Sequence, residues 1–126
     1  MRFLSVILLS FSLFNELPVD TEYLCPQAVN IAASVGWDVE DLATIDKIMW
    51  AESRCYTDIV SSTGDYGLFQ LNWSANNRWL SNAGYDRDNL LVSSNNARAA
   101  LMLAHYAEIQ YGCKFQPWYM SGNWCV

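Results

Sequence analysis

Apolar positions recur along this chain mostly at helical spacing. On a wheel of about 3.6 residues per turn, Leu42, Ile45, Ile48 and Met49 fall on one stripe. That stripe predicts a helix from Val39 to about Ser53, with Asp38 as N-cap and Glu40 and Asp41 in a first turn that favours negative charge. Upstream, Pro26 to Val35 predicts a helix that a proline can open and Gly36 closes. Downstream, Ala97 to Tyr111 predicts a long alanine-rich helix ended by Gly112. Between the second helix and the last, residues 61–67 (Ser-Ser-Thr-Gly-Asp-Tyr-Gly) are dense in turn formers and predict a loop or a tight hairpin. A short apolar segment follows from Leu68 to Asn72, and Asn82 to Asn96 is again polar and turn-rich. No repeat, low-complexity tract or linker divides the chain. The expected architecture is therefore one mainly α domain over 25–126, with a small loop or β element beside the second helix.

The N-terminus breaks this pattern. Met1-Arg2 followed by the apolar run from Phe3 to Phe14 reads as the charged and hydrophobic regions of an export signal, here assigned to residues 1–16, with 17–24 as a connector. The run of about 12 residues is shorter than the roughly 20 needed to span a bilayer. An uncleaved signal anchor and a buried N-terminal strand or helix are the alternatives, and membrane contact is expected through this segment only.

Composition narrows the partners. With 52% hydrophobic and 16% charged residues the chain is that of a folded globular protein, and a monomer is expected. Its net charge of −6 offers no cationic surface for nucleic acid or anionic lipid, both of which need clustered Lys and Arg. There is no Ser-His-Asp order, glycine-rich phosphate loop, calcium loop or metal-spaced cluster, so neither metal nor cofactor is expected. His105, the single histidine, lies within the long helix without a second histidine to share a metal. Four cysteines, Cys25, Cys55, Cys113 and Cys125, form no CxxC pair; with an export signal they read as two disulfides in a secreted, periplasmic or extracellular protein. Four cysteines allow three pairings, and Cys55–Cys125 with Cys25–Cys113 is the one expected, since it would tie the chain end to the core helices.

Candidate chemistry centres on a carboxylate in the wrong place. Glu52 lies at i+3 from Met49 and i+4 from Ile48, so it continues the apolar stripe at the helix end. A carboxyl held against apolar neighbours is desolvated, which favours its neutral form. An acid protonated near neutral pH is what glycosidic cleavage needs, because the leaving oxygen must receive a proton. The alternative is a structural ion pair with Arg54, Arg78 or Arg98. Asp65, in a glycine-bounded loop, is a second carboxylate expected to be better solvated; two carboxyls pushed apart by their surroundings form the working pair of most glycosidases. Taken alone, Asp65 equally fits a turn residue bonding its own backbone. Among the six tryptophans, Trp73, Trp79 and Trp118 are the candidates for stacking on sugar rings, while Trp50 reads as packing.

The stretches Ala51-Glu52-Ser53-Arg54-Cys55 and Gly64-Asp65-Tyr66-Gly67-Leu68-Phe69-Gln70-Leu71-Asn72 together resemble the soluble lytic transglycosylase domain and its goose-type and chicken-type lysozyme relatives. Asn96 ahead of the alanine-rich helix is similar to that family's later helix. Tyr119 and Gly122 are spaced like its Ala-Tyr-Asn-x-Gly motif, with Trp118 and Met120 as departures. The resemblance covers about residues 25 to 125 and implies an α+β lysozyme-like fold. It makes Glu52 the acid that protonates the bond between N-acetylmuramic acid and N-acetylglucosamine in peptidoglycan. It makes Gln70 and Asn72 cleft residues meeting sugar amides and hydroxyls, sets Tyr119 near Glu52 to orient it, and gives Ser62 or Ser61 a contact with the muramic sugar.

Two outcomes follow from the resemblance. In a lytic transglycosylase Glu52 turns from acid to base and a 1,6-anhydro product forms without water; this fits the overall pattern better. In a chicken-type lysozyme Asp65 serves the sugar cation and water completes the reaction; Asp65-Tyr66-Gly67 matches that pattern, although the loop from Glu52 to Asp65 is shorter. A non-catalytic glycan-binding relative and a chitin-cutting enzyme of the same superfamily are the further readings.

Overall fold

The computed structural model describes residues 22–126; the expected export signal at 1–16 and the first part of the connector lie outside the described residues. The helices are Pro26–Ser34 (α1), Leu42–Ser53 (α2), Trp73–Asn82 (α3) and Ser93–Tyr111 (α4). Short 3₁₀ turns occupy Val39–Asp41, Asn89–Leu91 and Gln116–Ser121. Asp65–Tyr66 (β1) pairs antiparallel with Leu71–Asn72 (β2), Asp65 opposite Asn72, and Val60 bridges Tyr66 from the other side. The fold is thus mainly helical with one small sheet, as the apolar spacing predicts. Among the described residues no helix is long and apolar enough to cross a membrane.

Small side chains let the helices meet. Ala97, Ala99, Ala100, Ala104 and Ala107 are all buried on α4, which packs against α1 and against the 116–121 turn. The same core holds the predicted stripe of α2, with Leu42, Ile45, Ile48 and Met49 fully buried, and Val29 and Ala32 of α1. An aromatic stack fills the space towards the hairpin: Trp37 lies parallel to Phe69 at 5.5 Å, and Phe69 meets Trp118 at 5.5 Å with a 56° tilt. Each indole N–H is satisfied, Trp37 donating to the Ala97 carbonyl at 2.9 Å and Trp118 to that of Phe69 at 2.8 Å. Pairing ring burial with a bonded N–H is what makes tryptophan tolerable in a core.

Several expectations need correction. The side chain of Asp38 makes no cap bond; the chain enters α2 through the 3₁₀ turn, and Asp41 stands at the N-cap position with its carboxylate drawn to Lys114 at 2.7 Å. Helix α3 has no counterpart in the apolar pattern, since only Leu80 of it is buried; Asn72 starts it by accepting from the Ala75 N–H at 2.8 Å. Helix α4 begins at Ser93, so Asn95 and Asn96 belong to the helix and not to the loop before it.

The disulfides also differ from expectation. Cys25 pairs with Cys55 and Cys113 with Cys125, in place of Cys55–Cys125 and Cys25–Cys113. The reason is the packing of α1 on α2. Buried Asp46 accepts from the Leu24 and Cys25 N–H groups at 2.9 and 2.7 Å, seating the start of α1 beside the end of α2, where Cys55 lies with its Cα 5.4 Å from that of Cys25. The second bridge closes the C-terminal turn on itself.

Candidate active site

Glu52 stands in the last turn of α2, and the way that helix stops sets its position. Arg54 and Cys55 both adopt left-handed backbone, with φ of 54° and 69°, although neither is glycine. Such residues cost energy and persist only where their surroundings hold them. Here the disulfide to Cys25 secures Cys55, while Arg54 bonds the Trp50 carbonyl at 3.1 Å and lies 5.0 Å over its ring. Ser53 is buried and bonds back to the Met49 carbonyl at 2.9 Å.

Glu52 is half-buried at one wall of a cleft of about 770 Å³ between α2, the hairpin, α3, α4 and the C-terminal turn. Burial holds its carboxyl above the ordinary value of 4.5; a hydrogen bond with the Ser121 hydroxyl works the other way, and the negative charge of Asp65 adds to the upward shift. None of Arg54, Arg78 and Arg98 forms a salt bridge to it among the described residues, so the ion-pair alternative is not what the fold builds.

Asp65 lies on the same cleft in the opposite state. Its partial burial alone would raise its pKa, but hydrogen bonds from Ser61, Thr63 and Asn72 outweigh this and hold it below 3.8. Ser61 and Thr63 donate to Oδ2, each at 2.6 Å, and Asn72 donates to Oδ1 at 2.9 Å. The hairpin therefore carries a carboxylate held towards its charged form on the same cleft as a carboxyl that burial shifts towards its neutral form.

The cleft brings together Glu52, Asp65, Gln70, Asn72 and Tyr119 of the sequence-predicted site. Gln70 turns the hairpin with φ of 49°, and its amide nitrogen donates to the Gly67 carbonyl at 3.0 Å. Asn72 is more committed: besides Asp65 it donates to the Thr63 carbonyl at 3.1 Å and caps α3. Tyr119 lines the cleft but is 64% exposed.

Three expected residues, Ser62, Trp73 and Trp79, lie off the cleft wall. Ser62 is exposed and outside the lining, because the hairpin points its neighbour Ser61 at Asp65 instead. Trp73 packs against the core with Arg87 5.5 Å over its ring. Trp118 is buried yet lines the cleft, while Trp79 lines an adjoining hollow, its N–H given to Asn76 at 2.8 Å. Tyr106 and Tyr111 of α4, which are absent from the sequence-predicted site, line the cleft with their rings. Their signal was present: Leu103, Tyr106, Ala107 and Tyr111 recur at helical spacing beside the buried alanines.

Asn96 explains why the hairpin sits where it does. Fully buried, it accepts from the Phe69 N–H at 2.8 Å and donates to the carbonyls of Tyr66 at 2.7 Å and Leu90 at 2.9 Å. One α4 side chain thus ties both ends of the Gly67–Gln70 turn to the core. Among the described residues no group of three or more His, Cys, Asp or Glu could hold a metal ion.

No curated protein and no solved structure matches the chain. The family model of the transglycosylase SLT domain matches residues 30–119, a span that runs from α1 through the acid-bearing helix, the hairpin and α4 to the C-terminal turn. With most of its length matched, including both carboxylates and the asparagine that anchors the hairpin, the chain belongs to the transglycosylase SLT domain family.

Proposed function

We propose that the protein is a lytic transglycosylase that cleaves the β-1,4 bond between N-acetylmuramic acid and N-acetylglucosamine in peptidoglycan, with Glu52 as general acid and then general base. The observation that carries this reading is the pairing, on one cleft, of a Glu52 whose burial favours the protonated form with an Asp65 whose three donors keep it ionised. Glu52 gives its proton to the glycosidic oxygen as the C1–O bond breaks. The muramic C6 hydroxyl oxygen then bonds to C1, and its proton returns to Glu52, regenerating the acid and leaving a 1,6-anhydro end.

Asp65 is suited to stabilising the cationic sugar by its charge. Its lone pairs are already engaged by Ser61, Thr63 and Asn72, which lowers its value as a nucleophile or base. That favours closure by C6 over attack by Asp65 or by a water it activates. Gln70 and the tyrosines 106, 111 and 119 are suited to the sugar amides and ring faces. Two disulfides among four cysteines fit work at the cell wall, outside the reducing cytosol.

Mass spectrometry of muropeptides released by the wild type and by Glu52→Gln tests the reading. Anhydromuramic ends from the wild type, and a loss of on the order of a hundredfold or more in the variant, are expected. Reducing ends would assign the second step to Asp65 and water, and undiminished activity of Glu52→Gln would remove that residue from the mechanism.

A further inference from the structure

The segment after α4 that forms one side of the cleft is fastened at three places. At its start Lys114 bonds Asp41 at 2.7 Å. In its middle Trp118, 4% exposed, packs on Phe69 and donates to the Phe69 carbonyl at 2.8 Å. Around both runs the Cys113–Cys125 bridge, which closes a loop across a separation of 12 residues. Gln116 to Met120, all inside that loop, line the cleft.

The three fastenings do not hold the same residues. Trp118 is kept in place by its own burial. Tyr119 and Met120 follow it at 64% and 85% exposed, so core packing does little to fix them. Past them the chain is held by the Ser121 hydroxyl and the Trp124 indole, which donate to the Trp118 carbonyl at 3.1 and 3.0 Å, and by the bridge. The two bridges also differ in access. Cys25 is 2% exposed and Cys55 half-buried, whereas Cys125 is exposed and Cys113 half-buried. Exchange requires a thiolate to reach a sulfur, so the exposed bridge is the one that opens first.

We infer that the Cys113–Cys125 bridge is a redox latch on the cleft. Oxidised, it holds Tyr119 and Met120 in the wall; reduced, it releases them while Glu52, the hairpin and the core stay in place. The reductant is a low-molecular-weight thiol. Its thiolate bonds to Cys125 Sγ, the S–S bond breaks, and Cys113 leaves as a thiolate that takes up a proton. A second thiolate then bonds to the reductant's sulfur and releases Cys125, which takes up a proton in turn. Two electrons pass to the bridge, and two reductant thiols depart as one disulfide. The latch restricts a complete cleft to oxidising surroundings. In this respect the inference rests on the function proposed above, whose substrate lies outside the reducing cytosol.

The test treats the oxidised protein with graded 2-mercaptoethanol, alkylates it and reads each cysteine by mass spectrometry. Cys113 and Cys125 are expected to open at a thiol concentration roughly tenfold below that for Cys25 and Cys55. In the selectively reduced protein, hydrogen exchange across 119–125 should rise while α2 and α4 keep their protection. On peptidoglycan that form and Cys113→Ala/Cys125→Ala should share a KM raised on the order of tenfold with kcat little changed, because loosened side chains must be ordered anew at each binding event. Reoxidation should restore the wild type alone. A Cys25–Cys55 bridge that opens first or at the same concentration, unchanged exchange across 119–125, or an unchanged KM overturns the inference. Should the double variant not fold, the selectively reduced wild type decides it. Alkylation and hydrogen exchange need no substrate, so the latch and the proposed function can fail separately.

Discussion

Glu52 and Asp65 share a functional group and differ in what their neighbours offer it. Apolar packing at the end of α2 penalises the charge on Glu52, whereas three donors on the hairpin reward the charge on Asp65. Each difference has a consequence for stability with a definite sign. The folded pKa of Glu52 is raised, so its stabilising contribution is complete below the unfolded value near 4.5 and is lost as pH rises through the folded value. Glu52→Gln, which removes the charge at nearly constant volume, should therefore melt higher than the wild type near neutral pH. The gap should close below about pH 4; thermal melts across that range check both parts. Asp65 behaves inversely, its contribution being present above 3.8 and lost as pH falls through its lower folded value. Asp65→Asn should thus lower the melting temperature near neutral pH and converge on the wild type in strong acid.

At the scale of elements, the cleft depends on two kinds of fastening. Asn96 holds the hairpin to α4 through three hydrogen bonds, and Asn96→Ala would strand the Phe69 N–H and two carbonyls in the core. With unsatisfied buried groups costing about 1–3 kcal/mol each, a loss of about 3 kcal/mol or more in urea unfolding is expected, together with loss of activity as Asp65 and Gln70 shift. The disulfides divide the remaining work. Closing 30 residues between Cys25 and Cys55 restricts the unfolded chain more than closing 12 between Cys113 and Cys125. Loop entropy gives about 4 and about 3 kcal/mol for the two, so Cys25→Ala/Cys55→Ala should unfold at lower urea than Cys113→Ala/Cys125→Ala.

For the whole molecule, charge opposes the proposed substrate. A protein of net charge −6 approaching an anionic glycan is repelled at long range, and salt screens that repulsion over about 8 Å at physiological ionic strength. The kcat/KM on peptidoglycan should accordingly rise with added salt from low ionic strength, and a fall would show that local cationic contacts dominate binding. The cleft itself is a property of the assembled chain: α2 brings Glu52, the hairpin Asp65, α4 two tyrosines and the C-terminal turn Trp118 and Tyr119.

The amino-acid sequence by itself determined the helical class, the buried stripe of α2, the alanine face of α4, the turn at 61–67 and the burial of Glu52, because each follows from spacing along one element. It also brought Glu52, Asp65, Gln70 and Asn72 forward, since the motifs that carry them are contiguous. Helix α3 was hidden, as only one of its residues enters the core and its start depends on a cap that doubles as a hairpin residue. What only the tertiary structure decided are relations between segments far apart in the chain. The disulfide pairing followed from Asp46 seating α1 on α2, the choice of Ser61 over Ser62 from the turn at 61–64 that sets the Ser61 hydroxyl on Asp65, and the place of the hairpin from the bonds of Asn96. Periodicity reports which face of an element is apolar; it carries no information about which polar groups another element will bring against that face.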